Sequence, residues 1–250
     1  MRTVSNRLRQ PVMYNYPVDR SCQPVKRLLA VMNGTLSMTI ISRPFSSGDL
    51  VAGHTALDLV NTVTARNTPA PRDWLDGYPR LLEWAKLANV CEEKVLALLG
   101  KQAADALDDA EGALERLKEF REALHTAYGA LILGKRVPQP ILDEIDAIWR
   151  EAHSRIRLEY SAGRIVARVS LERSGLDLIR DCVAGGAVEL LRSFPTDRAR
   201  VCRGEACGWL FIDSSKGGQR VWCDMAVCGN AAKTRRHQEN AKRRRRRGHS

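Results

Sequence analysis

The residues with the most specific chemistry are four cysteines near the carboxyl end of this 250-residue chain. They form two pairs, Cys202 with Cys207 and Cys223 with Cys228, with four residues inside each pair and fifteen between the pairs. Two short-spaced pairs with such an insert are a usual source of four thiolates for tetrahedral zinc. We therefore predict one Zn²⁺, in a structural role, because four thiolates leave no coordination position for water or substrate.

The alternative is that these four cysteines are merely buried or disulfide-bonded. The other cysteines, Cys22, Cys91 and Cys182, are scattered, the total of seven is odd, and no secretory signal is evident. No apolar run approaches the roughly 20 residues that a membrane span needs. We therefore expect a soluble, cytoplasmic protein whose thiols are reduced, which favours zinc over disulfides.

The segments around the cysteines must form the elements that hold the metal. Residues 209–212 and 220–222 are aromatic and β-branched, and the serines, lysine and glycines of 214–218 are typical of a turn. Asn230, just after the last cysteine, is a suitable helix N-cap. The sequence predicts a first knuckle (202–207), a β-hairpin, a second knuckle (223–228) and a helix. We predict that Trp209, Phe211 and Trp222 form the core of this module.

Positive charge is concentrated at this end of the chain. From Arg198 onward there are 14 Lys and Arg against 4 Asp and Glu, out of chain totals of 40 and 29, which leaves 26 against 25 elsewhere. Such asymmetry favours a nucleic-acid-binding end on a neutral domain. The alternative is that the run of arginines at 243–247 is only a solvated charged segment that aids solubility. The candidate nucleic-acid contacts are Lys233, Arg235, Arg236, His237, Arg243, Arg244 and Arg247.

These motifs resemble the CGNR zinc finger over roughly residues 198–238. The resemblance includes both knuckles, the strand and turn that start at Trp209, residues 220–223 and the basic helix. One position departs from the family, which has arginine where this chain has Ala231; the metal ligands are unaffected. The family is regarded as bacterial transcription regulators whose finger binds DNA, so the resemblance implies that activity here.

The globular part begins at residues 53–62, which resemble the opening of the ABATE domain that commonly precedes this finger. In that family the domain is thought to sense a ligand or a stress signal. Under that hypothesis His54, Asp58 and Asn61 belong to a ligand pocket for a small-molecule effector. The alternative is that they cap the helix and make interhelix hydrogen bonds.

The rest of the chain predicts a mainly α domain. Apolar residues at spacings of three and four indicate helices over 102–133, 139–153 and 175–193, and Gly185-Gly186 are positioned to kink or split the last. Residues 155–160 and 164–170 indicate a β-hairpin. We predict domains at 46–196 and 198–247, with a linker too short for independent motion. Residues 1–45 are interpreted as a disordered extension, a start assigned too early (with Met38 as the true start), or a transit peptide.

The predicted function is a zinc-dependent DNA-binding transcription regulator. Binding to RNA or the ribosome is the main alternative, because a four-cysteine finger with an arginine tail also suits folded RNA. A third hypothesis makes the N-terminal domain an enzyme tethered by the finger, which a pocket of titratable groups around Asp58 would favour. We expect no enzyme, since the sequence has no phosphate-binding glycine loop and no nucleophile elbow.

Overall fold

A computed structural model of the chain describes residues 43–247. The three interpretations of the N-terminal extension, including a start at Met38, therefore fall almost wholly outside the described residues. Within them the fold is mainly helical with small antiparallel strand pairs and a C-terminal cluster of four cysteines, as predicted. None of the helices in this part of the chain combines the length and apolar character that a membrane span requires.

The helices follow one another with short connections, and most lie before residue 193. They are α1 (Thr55–Val60), α2 (Tyr78–Leu87), α3 (Glu93–Asp105), α4 (Leu107–Ile132), α5 (Gln139–Ser154), α6 (Leu171–Ser174), α7 (Leu178–Arg192) and α8 (Asn230–Arg247). Short 3₁₀ turns lie at Ser47–Asp49 and Gly175–Asp177, and a π-helical turn spans Met225–Gly229.

The strands form three separate antiparallel pairs. They are β1 (Val63–Thr64) with β2 (Arg72–Asp73), β3 (Ile156–Ser161) with β4 (Arg164–Val169), and β5 (Ala199–Val201) with β6 (Leu210–Ile212). The β3–β4 pair confirms the hairpin predicted from the alternating pattern.

Helix α4 forms the centre of the helical domain, and it packs against α1, α2, α3, α5 and α7. Its buried face carries Leu117, Phe120, Leu124 and Tyr128, which belong to the predicted apolar stripe. The helix ends as predicted, because Gly134 adopts a positive φ of 64° and lets the amide of Lys135 reach the carbonyl of Ala130 at 2.8 Å.

The predicted start of this helix at residue 102 is wrong. The chain breaks at Ala106, whose φ of −142° and ψ of 73° separate α3 from α4. Apolar residues keep their spacing across the break, so periodicity cannot locate it. Leu107 belongs to the predicted stripe but is 72% exposed, because the new helix begins there in a different direction.

Helix α7 is continuous, so the glycine pair does not split it. A Cβ atom placed on Gly186 would lie 3.6 Å from Cε1 of His54, which is an ordinary van der Waals distance. Helix α7 therefore passes close to the start of α1 at this position. The predicted first turn, from residue 175, is the separate 3₁₀ turn.

The predicted hairpin inside the zinc module is wrong in its pairing. Strand β6 pairs with β5, which precedes the first knuckle, and residues 220–222 form no strand. The carboxylate of Asp213 accepts the amides of Ser215 and Arg220 at 2.9 and 2.7 Å, which closes the turn. The guanidinium of Arg220 then lies 4.6 Å from the centre of the Phe211 ring, so this segment packs over β6 instead of extending beside it.

Candidate metal centre and nucleic-acid interface

The four cysteine sulfurs lie within 4.8 Å of one another. Sγ of Cys223 is 3.6 Å from that of Cys207 and 3.7 Å from that of Cys228. Zinc–sulfur bonds of about 2.3 Å in a regular tetrahedron place the sulfurs about 3.8 Å apart. The measured separations therefore fit a single Zn²⁺, and the four cysteines together hold one structural zinc.

The backbone of the knuckles supports the ligands. Sγ of Cys202 accepts the amides of Gly204 at 3.4 Å and Cys223 at 3.3 Å, as expected for a thiolate in a closed site. A Cβ atom on Gly204 would lie only 2.9 Å from Cβ of Cys207 and 3.1 Å from Sγ of Cys228. Glycine is therefore required at this position by close packing against the metal centre.

The basic helix begins from the metal centre itself. Cys228 lies in the π-helical turn that leads directly into α8. The N-cap is Asp224, whose carboxylate accepts the amides of Ala226 and Val227, and not Asn230 as predicted. Asn230 has helical backbone angles and donates its side-chain amide to the carbonyl of Ala226 at 3.1 Å. Asp224 caps the turn because it directly precedes the first helical residue.

Comparison with protein families agrees with this geometry. Residues 198–247 match the CGNR zinc finger, and residues 53–193 match ABATE, described as "Putative stress-induced transcription regulator". The ABATE match covers more than half of the chain. The chain belongs to the ABATE family. No curated protein matches it. The resemblance predicted from the sequence is thus confirmed for both the ABATE domain and the CGNR finger.

The candidate nucleic-acid residues all lie on α8, but they are not equivalent. Lys233, Arg236, His237 and Arg244 are exposed. Arg235 is half-buried and forms an ion pair with Glu205 of the first knuckle, so its charge is directed to the finger. Arg243 and Arg247 belong to the helix, but their side chains lie outside the described part of the structure.

The ABATE domain and the CGNR finger share one hydrophobic core. Trp209, Leu210 and Phe211 are buried in the same cluster as Leu57 and Val60 of α1. The two parts therefore touch, and Trp209 and Phe211 belong to the core, as predicted.

Polar contacts reinforce this junction. The side-chain amide of Asn61 donates to the carbonyl of Leu210 at 2.9 Å, and its oxygen accepts the Leu210 amide at 3.0 Å. The indole of Trp209 donates to the carbonyl of Val63 at 3.2 Å, and the amide of Ile212 donates to the carbonyl of Ala52 at 2.8 Å. Strand β6 is therefore held by the loops at both ends of α1.

The side chains of His54, Asp58 and Asn61 are each engaged in a hydrogen bond with the backbone. Nδ1 of His54 accepts the amide of Ala56 and caps α1, and Asp58 accepts the amide of Ala52 at 3.0 Å. His54 thus caps the helix, as in the alternative hypothesis, whereas Asp58 bonds to a loop and Asn61 to strand β6, and within the described residues neither makes an interhelix hydrogen bond. Burial raises the pKa of Asp58 to about 7, and the hydrogen bond from the amide of Ala52 offsets only part of this rise.

A cavity of about 1000 Å³ lies elsewhere, between the ABATE domain and the start of α8. One wall consists of residues 43–49 and 64–69, and the other contains both knuckles, Trp209, Val227, Ala231 and Arg235. Sequence analysis missed this cleft, because its walls are more than 100 residues apart in the chain.

Buried charges were also missed. Arg121 of α4 is 3% exposed and donates to both carboxylate oxygens of Asp73 at 2.8 and 2.7 Å and to the hydroxyl of Thr62 at 3.1 Å. Because α4 carries many charged residues, the sequence pattern predicts that Arg121 is exposed to solvent. Its acceptors come from a segment about 50 residues earlier, which no local pattern reveals.

Proposed function

We propose that this chain is a zinc-dependent regulator of transcription that binds DNA through α8. The observation that carries the proposal is the attachment of an exposed basic helix directly to the zinc centre. Zinc fixes Cys228, and Cys228 fixes the first turn of the helix. Because the finger shares its core with the ABATE domain, the direction of α8 is set by the whole folded chain.

In this mechanism Lys233, Arg236 and Arg244 contact phosphates from one exposed surface. Phosphate contacts position a protein on the duplex, whereas base contacts specify the sequence. Arg235 remains on Glu205 and orients the helix. We propose that the chain is not an enzyme, because the four-thiolate site is closed and Asp58 is engaged by a backbone amide.

The test is selection of genomic duplex fragments by the purified zinc-loaded chain, at moderate salt with excess competitor DNA. We expect enrichment of a shared site. Structured RNA is measured at matched salt, and tighter binding to RNA, or retention of DNA without any shared site, would contradict the proposal.

The exposed charges on α8 are tested in the same assay. The triple variant K233A/R236A/R244A should lose affinity for every duplex by roughly 10-fold or more, because three phosphate contacts are removed. The matched control is R136A/R157A/R164A, which removes three exposed arginines from the ABATE domain. Equal loss in both variants would show that binding follows net charge and not the helix.

We further propose that the effector of the ABATE domain binds in the cleft beside α8. The charged side chains there are already engaged: Arg43 with Asp49, Arg235 with Glu205, and Asp224 with two amides. The other lining is largely apolar, with the exposed amide of Asn67 at one wall. The cleft therefore suits an uncharged, mainly apolar molecule, which would contact domain and helix together.

The neutral fluorescent dye Nile red serves as the probe for this cleft. We expect saturable binding of one dye per chain, and at least 10-fold weaker binding to A231W, which fills the cleft from the first turn of α8. Zinc content and melting temperature show whether the variant is folded. Unchanged dye binding in folded A231W would exclude the cleft.

A further inference from the structure

Two cysteines outside the metal centre lie together in the ABATE domain. Cys91 precedes α3, in the loop that follows α2, and Cys182 lies in α7. They are 91 residues apart in sequence, yet their Sγ atoms are 3.8 Å apart. Both residues are partly exposed.

The two thiols are not equivalent. The contact between the two sulfurs lowers the pKa of Cys91, and the same contact together with burial raises the pKa of Cys182. Cys91 also lies two residues before the first helical residue of α3, where the helix dipole favours a thiolate. The geometry therefore gives one attacking sulfur and one resolving sulfur.

The two sulfurs need to approach by less than 2 Å to reach the disulfide bond length of about 2.0 Å. Cys91 lies in a loop between two helices, so a change in its side-chain torsion with a small backbone shift brings the sulfurs together. Two of the zinc ligands, Cys202 and Cys223, are only 2% exposed, whereas Cys207 and Cys228 are partly exposed like Cys91 and Cys182. What distinguishes all four ligands from the Cys91–Cys182 pair is therefore their bond to the metal.

We propose that Cys91 and Cys182 are a modification site at which a peroxide forms a reversible disulfide. The Cys91 thiolate attacks one peroxide oxygen, the O–O bond breaks, and the departing hydroxide takes a proton to become water. Sγ of Cys182 then attacks the Cys91 sulfenic acid, the S–O bond breaks, and a second water leaves with the Cys182 proton. Two thiols and one hydrogen peroxide give one disulfide and two waters.

The test treats the zinc-loaded full chain, carrying C22S, with increasing hydrogen peroxide and maps disulfides by non-reducing peptide mass spectrometry. We expect a Cys91–Cys182 peptide to appear at lower peroxide than zinc release does. The oxidised chain should melt about 5 °C or more higher, because the bond closes a 91-residue loop, and dithiothreitol should reverse the shift.

The variant C182S separates the two steps. Without the resolving thiol, Cys91 should accumulate as the sulfenic acid and be trapped by dimedone, whereas C91S should give no adduct at position 182. Oxidation of the zinc ligands first would overturn the proposal. So would a pair that stays reduced while zinc is released, or a Cys91 that bonds only to a second chain.

Discussion

Asn61 contacts the finger through both ends of its side-chain amide, and it is 3% exposed. Its oxygen and nitrogen reproduce the bonds that a neighbouring strand would make to Leu210. Asp58, one turn earlier in α1, holds the amide of Ala52, whose carbonyl in turn accepts the amide of Ile212. One side chain of α1 and the side chain of the residue that follows this helix thus support both ends of β6, and each is open to a separate test.

Asn61→Ala leaves the amide and carbonyl of Leu210 buried without partners. We expect the free energy of unfolding to fall by about 2–4 kcal/mol, since each unpaired buried group costs about 1–3 kcal/mol. Urea unfolding in excess zinc measures this change. Asn67→Ala removes an exposed amide from a nearby loop and should change stability by less than about 0.5 kcal/mol. Equal effects of the two substitutions would contradict the assigned role.

Asp58→Asn should change the pH dependence of stability. The folded pKa of Asp58, about 7, lies above its ordinary value of 3.8, so the folded chain holds this proton more tightly. Binding of this proton in the folded state adds to the free energy of unfolding, by at most about 4 kcal/mol. This stabilisation is fully present below about pH 4 and is lost as the pH rises through 7. We expect the stability of Asp58→Asn not to fall over this pH range. Urea unfolding at several pH values in excess zinc measures the free energy of unfolding of both chains. Parallel curves for both chains would contradict the burial of the charge.

At the scale of elements, α8 differs from the other long helices in the part of the chain that the structure describes. Helices α1–α5 and α7 bury an apolar face, whereas α8 is almost wholly polar. It is held at its start by the π-helical turn that contains Cys228 and by the ion pair of Arg235 with Glu205. Repulsion among residues 243–247 weakens its far end. A counter-charge such as the phosphate backbone relieves that repulsion, so ordering of this end should accompany binding.

Replacing Arg243–Arg247 with alanine should weaken binding to all duplexes and flatten the dependence of affinity on salt. Each lost phosphate contact reduces the slope of log affinity against log salt by about 0.9. Fluorescence anisotropy with a labelled duplex between 50 and 200 mM salt measures this slope. Replacing the five arginines with lysines keeps the charge and should keep the slope; a slope unchanged by alanine would mean that this run does not touch phosphate.

At the scale of the whole molecule, the zinc centre and the ABATE domain form one cooperative unit. The core cluster runs from α1 through Leu210 and Phe211 to Cys202 and Cys223. Loss of the metal therefore exposes apolar surface on both sides of the junction. This differs from a finger joined by a flexible linker, whose unfolding leaves the other domain unchanged.

Cys228→Ser, or removal of zinc by a chelator, should unfold the finger and also destabilise the ABATE domain by about 3 kcal/mol, through lost packing and the unpaired Asn61. Calorimetry and zinc content measure both effects. Cys91→Ser, which removes a thiol outside the metal centre, should keep full zinc and near-native stability. Full zinc occupancy in Cys228→Ser would refute the metal assignment, and an unchanged ABATE transition would refute the shared core.

The sequence by itself determined the metal centre, the positions of most helices and the basic character of the C-terminal end. These features depend on residues within about 25 positions of one another, so spacing and periodicity reveal them. Only the tertiary structure decided that β6 pairs with β5, that Asn61 binds Leu210 from 149 residues away, and that Cys91 meets Cys182. The last two contacts join segments 149 and 91 residues apart, which no local pattern relates. The β5–β6 pair is local, but residues 220–222 are as near to β6 in sequence and have a suitable composition, so packing of the shared core selects between the two partners.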